Sequence, residues 1–195
     1  MVQSHVGLER TRAMINNIKV TDLSDAESYA FGPNNDFDVW ISTVDQVDKR
    51  KMNRMKELLT KKGVKHFYQL FADWSDEDGI QWKHLIDEAP QIRHIQNIIT
   101  FLKPFVDDDK VHNVGINCFA GISRSTAIAI TTLVMSGETP RQALDRVLKV
   151  RYVAWPNIRV LRLASEILGQ DIATPIVEWK TTTMSSGEIF LPPED

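Results

Sequence analysis

Residues 125–135 read STAIAITTLVM, and this segment restricts the possible fold more than any other. Its apolar residues would lie on nearly every side of a helix, so such a helix belongs at the centre of a core. Its β-branched residues would also suit a strand. A length of about eleven residues and the stop signal Ser136-Gly137 favour the helix. A short strand, residues 113–117, is predicted just before it.

Strand and helix patterns alternate along the rest of the chain. The segments FDVWIS and VKHFYQLF are rich in aromatic and β-branched residues, which is typical of strands. Thr139-Pro140-Arg141-Gln142 is a capping box that predicts the start of a helix. The predicted strands are 17–20, 37–42, 64–71 and 113–117, and the further helices are 49–62, 90–103, 140–150 and 155–168. This alternation predicts an α/β fold with a central, mostly parallel sheet flanked by helices.

Composition limits the classes of function. The chain has 195 residues, of which 43% are hydrophobic, and it contains no internal repeat or long linker, so we expect a single domain spanning 1–195. A net charge of -3 gives no overall attraction to nucleic acid or to an anionic membrane. The chain has one cysteine and no run near the roughly 18 apolar residues of a membrane helix. We therefore expect a cytoplasmic protein without nucleic-acid or membrane partners.

No pattern in the sequence indicates a metal or an organic cofactor. The chain contains no HExxH motif, paired CxxC motif or Walker loop, and its five histidines are scattered singly. Each histidine is better explained by a surface or core position than by metal binding. We expect a protein that works without a cofactor.

The one cysteine lies in the segment NCFAGISRS, between the predicted strand and the buried helix. Backbone amides at a helix N-terminus favour a bound anion and also favour the thiolate form of a cysteine. Arg124 offers a planar fork to two oxygens of a phosphate-like group, while Gly121 allows a tight turn and Ser125 brings a hydroxyl near the sulfur. The alternative is that Cys118 is a small buried hydrophobe and that Arg124 is a helix-start residue in a surface ion pair.

NCFAGISRST resembles the signature loop of the cysteine-dependent protein tyrosine phosphatases, His-Cys-x-x-Gly-x-x-Arg-Ser/Thr. The resemblance is greatest to the compact dual-specificity-like branch, which includes small bacterial and viral enzymes. RYVAWPNIRVLRLASEIL is similar to the segment that follows the signature helix in that branch, and FADW is similar to its general-acid segment. The resemblance covers about residues 37–169 and leaves 170–195 as a C-terminal extension that we expect to dock on the domain.

The resemblance implies hydrolysis of phosphomonoesters through a phosphocysteine on Cys118. Asp73, rather than Asp76 or Asp78, would be the general acid, and Ser125 would help the sulfur to leave. Arg124 and the backbone amides of the loop would bind phosphate, sulfate or vanadate, and the loop residues concerned are Phe119, Ala120, Gly121, Ile122 and Ser123. Asn157 would support the loop.

The sequence departs from the family at Asn117, where a histidine normally precedes the cysteine. An amide can donate hydrogen bonds but cannot carry a charge, so a phosphate-binding protein with little or no activity is an alternative. A rhodanese-type sulfurtransferase also uses a cysteine loop before a helix, but Ser-Arg-Ser and Pro-Asn fit it poorly.

The expected substrates are phosphotyrosine-type phosphoproteins or small aryl phosphates, with dual specificity left open. The interior of the loop has no lysine or histidine, which argues against polyanionic lipids. Trp74, Trp82 and Trp155 are candidates for the wall of the pocket, although burial in the core explains each of them equally well.

Overall fold

The computed structural model describes residues 14–34, 36–75 and 88–186, and in these residues a four-stranded parallel sheet forms the centre. The order across the sheet is β1, β4, β2, β3. The strands are β1 (Met14–Thr21), β2 (Val39–Val44), β3 (Lys65–Leu70) and β4 (Val111–Asn117). All three pairings are parallel, so the carboxyl ends of the strands share one edge.

The middle strands of the sheet are covered on both faces. Every residue of β2 is buried, which is the pattern of a strand in a parallel sheet with helices on each side. In β4, Ile116 lies opposite Val20 of β1 and Ile41 of β2, and all three side chains are buried. The sheet thus separates two hydrophobic clusters.

Seven α-helices within the described residues surround this sheet, some in contact with it and others packed on neighbouring helices. The first two helices, α1 (Leu23–Phe31) and α2 (Lys49–Lys61), cover one face of the sheet, and the smaller cluster there includes Met52, Met55 and Leu59. The larger cluster contains residues of the five later helices. The helices are α1 (Leu23–Phe31), α2 (Lys49–Lys61), α3 (Ile92–Val106), α4 (Arg124–Met135), α5 (Pro140–Val150), α6 (Ile158–Leu168) and α7 (Ala173–Ser186).

Helix α4 is the central helix that the apolar segment predicted. All its residues from Arg124 to Val134 are buried, and it follows directly on the loop after β4. The predicted α/β class, the parallel sheet and the capping box at Thr139 are confirmed. Helix α6 ends at Gly169, which has a φ of 64°, a left-handed value that glycine adopts readily.

Two helices are additions to the sequence-based prediction. Helix α1 was not predicted, and α7 forms most of the C-terminal extension. Helix α7 contacts α5 and α6, and Ile176 is fully buried, so this helix packs on the rest of the described structure. Asp76, Asp78 and Trp82 lie outside the described residues, as do Phe190 and Leu191. Within the described ranges, no helix has the length and apolar character needed to cross a membrane.

Candidate active site

The candidate site lies at the carboxyl edge of the sheet, where three strands deliver polar side chains. Cys118 follows β4, Asp45 follows β2, and Asp73 lies three residues after β3. In open parallel sheets, ligands bind outside this edge. The topology therefore brings together residues that are far apart in the sequence.

The loop between β4 and α4, residues 118–124, is hereafter the signature loop, and its carbonyl groups are bonded to the surrounding protein. The backbone N–H of Leu23 donates to the Phe119 carbonyl at 3.1 Å. The Arg151 guanidinium donates to the Ala120 carbonyl at 2.9 Å and to the Gly121 carbonyl at 3.0 Å. One arginine side chain thus holds two consecutive peptide groups of the loop.

The second half of the loop is bonded in the same way. The backbone N–H of Trp155 donates to the Ile122 carbonyl at 2.8 Å, and that of Asn157 donates to the Ser123 carbonyl at 3.2 Å. The Thr126 hydroxyl reaches both carbonyls, at 2.6 and 2.9 Å. Every carbonyl from 119 to 123 is therefore engaged, an arrangement that suits a loop whose N–H groups face an anion inside it.

Cys118 lies at the base of this loop and is fully buried. The Gly121 backbone N–H donates to its Sγ atom at 3.2 Å, and the Ser125 hydroxyl lies at the same distance from the sulfur. Gly121 has a φ of 69°, and a Cβ atom there would lie 2.6 Å from the Thr21 carbonyl carbon. Glycine is therefore required for this turn.

Asn117, which replaces the usual histidine, is part of a buried hydrogen-bond network. Its Oδ1 accepts from the Trp40 indole at 2.9 Å and from the Ser42 hydroxyl at 2.7 Å, while its Nδ2 donates to the Cys118 carbonyl at 3.3 Å. The Ser42 oxygen in turn lies 3.0 Å from His66 Nε2. Asn117, Trp40 and Ser42 are all fully buried, so the surroundings of the loop are fitted to an amide.

The direction of this network fixes the state of His66. Because the Ser42 hydroxyl hydrogen is given to Asn117, His66 Nε2 must donate to the Ser42 oxygen. Desolvation by burial, helped by the charge of Lys56, lowers the pKa of His66 to about 4. His66 is therefore neutral at pH 7, with its proton on Nε2.

Arg124 is buried beside the loop, and its guanidinium is hydrogen-bonded to residues that follow β2 and β3. Its Nη1 donates to the Phe71 carbonyl at 2.7 Å and to Asp45 Oδ1 at 3.1 Å. Its Nε lies 3.7 Å from Asp73 Oδ2 and has no hydrogen-bond partner within the described residues. The Nε edge of the guanidinium therefore faces the space next to Asp73.

Asp73 is joined to the signature loop itself. Its Oδ1 accepts from the Ser123 hydroxyl at 2.7 Å and from Asn157 Nδ2 at 3.0 Å. Asn157 also donates to the Trp74 carbonyl at 3.1 Å. The Pro-Asn segment therefore supports both the loop and the residue predicted to be the general acid.

A pocket of about 600 Å³ opens at this place. Trp155 contributes to its wall, whereas Trp74 is buried under the Arg159 guanidinium, 5.0 Å from the ring centre, and does not line it. The lining residues are Asp73, Ser75, Ser123, Trp155, Asn157, Lys180 and Met184. Among the described residues, no group of three or more His, Cys, Asp or Glu side chains is placed to hold a metal ion.

Sequence reasoning missed Asp45, Arg151 and Ser42. Asp45 carried a usable signal, because an acidic residue directly after a buried strand lies at the same sheet edge as Cys118. Arg151 belongs to a segment that the resemblance covers, but its bonds to the loop depend on tertiary placement. Ser42 gave no signal, since a serine inside a buried strand is ordinary.

Comparisons with known proteins agree with the fold. Neither a protein-family model nor a curated protein sequence matches this chain. The crystal structure of PTPMT1 is similar, with a TM-score of 0.54 and 14% identity over 88% of this chain and 99% of that one. The PTP-2 phosphatase of Cydia pomonella gives a TM-score of 0.51 and 18% identity over 80% and 89% of the two chains. Tk-PTP in its active form gives 0.50 and 18% over 82% and 97%.

At these identities the likeness concerns the fold. The described residues build the same kind of four-stranded parallel sheet and flanking helices that the sequence predicted. The resemblance noted in the sequence is therefore confirmed at the level of architecture: this chain has the fold of the cysteine-dependent protein tyrosine and dual-specificity phosphatases.

Proposed function

We propose that this chain is a single-domain phosphomonoester hydrolase that acts through a phosphocysteine intermediate. The observation that carries the proposal is the signature loop, in which all five carbonyls from 119 to 123 are bonded outwards around a buried thiol. This arrangement favours a tetrahedral anion above the sulfur. Arg124 and Asp73 lie at the same edge of the sheet and supply a clamp and a proton donor.

In the first step, the Cys118 thiolate attacks phosphorus and the bond to the ester oxygen breaks. The loop amides and Arg124 stabilise the charge on the equatorial oxygens. Asp73 gives its proton to the leaving oxygen, and the product is an alcohol or a phenol. Because Ser123 and Asn157 both donate to Oδ1, the other oxygen, Oδ2, is the one suited to carry that proton.

In the second step, water attacks the phosphocysteine. The Asp73 carboxylate accepts a proton from the water, the sulfur–phosphorus bond breaks, and inorganic phosphate leaves. The Ser125 hydroxyl, 3.2 Å from the sulfur, donates to the departing thiolate. No metal or organic cofactor enters either step. Reducing conditions keep a lone thiol reactive, so we place the reaction in the cytoplasm.

We assign phosphotyrosine-type phosphoproteins and small aryl phosphates as substrates, with dual specificity still to be measured. The loop residues that would face the phosphate contain no additional cation. Trp155 gives the adjacent pocket an aromatic wall that suits a phenyl ring.

Hydrolysis of an aryl phosphate by the wild type and by Cys118→Ser tests the proposal. The wild type should release phosphate, with inhibition by vanadate and no effect of chelators, whereas Cys118→Ser should bind phosphate without turnover. Rapid acid quench of the wild type should trap phosphate on Cys118. A serine variant with wild-type turnover would show that the nucleophile lies elsewhere.

A second candidate function is binding of phosphate groups without turnover. One observation favours it: Asn117 stands in the place of the family's histidine. Calorimetric titration with a phosphotyrosine peptide separates the two candidates. Tight binding by the wild type with no phosphate release would establish the second.

A further inference from the structure

The exposed side of helix α2 is a charged surface that has no part in the proposed reaction. This helix carries six cations and one acidic residue, Glu57, in a chain whose net charge is -3. Its other side, formed by Met52, Met55 and Leu59, is buried in the smaller hydrophobic cluster. All six cations are exposed, so a surplus of positive charge lies on one surface of a chain that is acidic overall.

Three of these cations form a row on the side of α2 that faces away from the sheet. Their spacing places Arg50, Arg54 and Lys61, hereafter the basic row, opposite the buried side of the helix. Glu57 lies in the same row, between Arg54 and Lys61. The basic row spans about 16 Å, because a helix rises about 1.5 Å per residue. An extended peptide of about five residues has the same length.

The cations of the basic row are open to a ligand. Within the described ranges, Lys51 is the one cation of α2 that pairs with a carboxylate, at 4.0 Å from Glu27. The Arg54 guanidinium lies 4.6 Å from the centre of the Phe31 ring, a contact that holds the group in place while its N–H edges stay available. The side chains of Arg50 and Lys61 are exposed and have no hydrogen-bond or ion-pair partner in those ranges.

The basic residues at the start of α2 lower the stability of their own helix. The first turn contains Lys49, Arg50 and Lys51 and no acidic residue, and the N-cap, Asp48, makes no side-chain capping bond. Because the N-terminus of a helix carries a partial positive charge, it repels cations placed there. Natural proteins break such local rules mostly at functional sites, so this arrangement is typical of a binding surface.

The basic row begins at the same edge of the sheet as the signature loop. Helix α2 starts four residues after Asp45, which is bonded to Arg124. We infer that the basic row binds an acidic segment of the phosphoprotein substrate, outside the segment that carries the phosphate. The inference rests on the proposed function and assigns its substrate class, which is phosphoproteins with a run of acidic side chains near the phosphorylated residue.

The surroundings of the basic row favour a protein over a lipid membrane or a nucleic acid. Peripheral helices that bind membranes insert an apolar face, but the exposed positions of α2 hold polar and charged side chains, and its apolar face is buried. A nucleic-acid strand presents a phosphate about every 3.4 Å, so one phosphate would meet the Glu57 carboxylate. A peptide can place a neutral residue there and carboxylates opposite Arg54 and Lys61.

Two phosphotyrosine peptides test the inference. They share the sequence around the phosphotyrosine and differ in a block of about five residues after a Gly-Ser linker, glutamate in one and glutamine in the other. The wild type should prefer the glutamate peptide about tenfold in kcat/KM, mainly through KM, because three exposed charge pairs form. The triple variant Arg50→Gln, Arg54→Gln, Lys61→Gln should lose this preference and keep its turnover of a small aryl phosphate.

Two further variants separate the basic row from overall charge and from stability. The matched control, Lys103→Gln, Lys110→Gln, Arg141→Gln, removes three exposed cations outside α2 and should keep the preference. Replacing all three residues of the basic row with glutamate should produce a preference for a peptide with a lysine block. Arg50→Glu also suits the first turn of α2, so these variants should fold.

Several results would overturn the inference. Equal preference in the wild type and the triple variant would remove the basic row from recognition. Loss of the preference in the matched control would assign the effect to net charge alone. Binding of the wild type to phosphatidylserine vesicles or to single-stranded RNA, tighter than to the glutamate peptide and lost in the triple variant, would replace the substrate class.

Failure of the proposed function gives a different pattern. A wild type that releases no phosphate from either peptide or from an aryl phosphate contradicts the hydrolase. A fluorescent peptide with the glutamate block and no phosphate then reports on the basic row through anisotropy, and it should bind the wild type more tightly than the triple variant. Equal binding would reject the inference in that case too. Phosphate release at equal rates from both peptides would refute the inference and leave the hydrolase intact.

Discussion

Replacing Asn117 with the histidine of the signature pattern that this loop resembles tests how the signature loop is supported. In this chain the asparagine is fully buried, and its Oδ1 accepts from both Trp40 and Ser42. From the sequence alone, we would expect Asn117→His to restore support to the loop and to raise activity at mildly acidic pH. The structure reverses this expectation, because the Trp40 indole and the Ser42 hydroxyl both need the side-chain carbonyl oxygen of Asn117 as their acceptor.

The size of the effect follows from the lost hydrogen bonds and the added volume. A neutral imidazole that donates to the Cys118 carbonyl has one nitrogen left to accept, so either the Trp40 indole or the Ser42 hydroxyl loses its partner. A buried donor without a partner costs about 1–3 kcal/mol. Overpacking of a dense core costs about 1–3 kcal/mol more. We expect Asn117→His to lower the free energy of unfolding by about 2–6 kcal/mol.

Urea denaturation followed by tryptophan fluorescence measures this change, and alkylation of Cys118 across a pH series measures the state of the thiol. A second substitution, Trp40→Phe, removes one donor and makes space, so the double variant should regain part of the stability that the single variant loses. If Asn117→His unfolds at the wild-type urea concentration and is more active at mildly acidic pH, the argument from the network is wrong.

Three further changes test other parts of the site. His66→Gln retains a donor for Ser42 but cannot titrate. Because burial lowers the pKa of His66 from 6.5 to about 4, the free energy of unfolding of the wild type should fall by about 3 kcal/mol between pH 6.5 and 4. The urea midpoint of the variant should not show this part of the fall. Arg151→Met removes both bonds to the loop carbonyls and should weaken competitive inhibition by inorganic phosphate about tenfold, while Arg151→Lys should lose less. Asp73→Asn should reduce turnover of esters with poor leaving groups about 100- to 10,000-fold, and equal loss for activated aryl phosphates would contradict its role as the acid.

The parts of the fold that were predicted correctly are those in which local pattern and tertiary burial agree. The segment that forms α4 is apolar on every side, and the structure buries it completely. Helix α1 escaped prediction because its buried face consists of one leucine and two alanines, which leave a weak pattern. Helix α7 contains three consecutive threonines, 181–183, which favour extended structure, and packing against α5 and α6 overrides that preference.

The candidate site divides in the same way. The signature loop is contiguous, so the proximity of Cys118, Gly121 and Ser125 could be predicted from spacing. Asp45 lies 73 residues before Cys118 in the sequence, and the parallel topology of the sheet brings it to the site. Arg151 lies 33 residues after Cys118, and the packing of the segment after α5 brings it to the loop. Local sequence patterns do not predict contacts between residues so far apart in the sequence.

The pairing of Arg124 with Asp45 bears on both candidate functions, because both need a guanidinium edge that can bind phosphate. A guanidinium binds a phosphate through two N–H groups along one edge. In this structure, Nη1 takes the bonds to the Phe71 carbonyl and to Asp45 Oδ1, whereas Nη2 has only a long contact of 3.5 Å to Asp45 Oδ2. Nε, which has no hydrogen-bond partner in the described parts of the chain, lies on the same side as Asp73. The Nε–Nη2 edge can therefore accept a phosphate while Nη1 stays fixed, so Asp45 orients the arginine instead of blocking it.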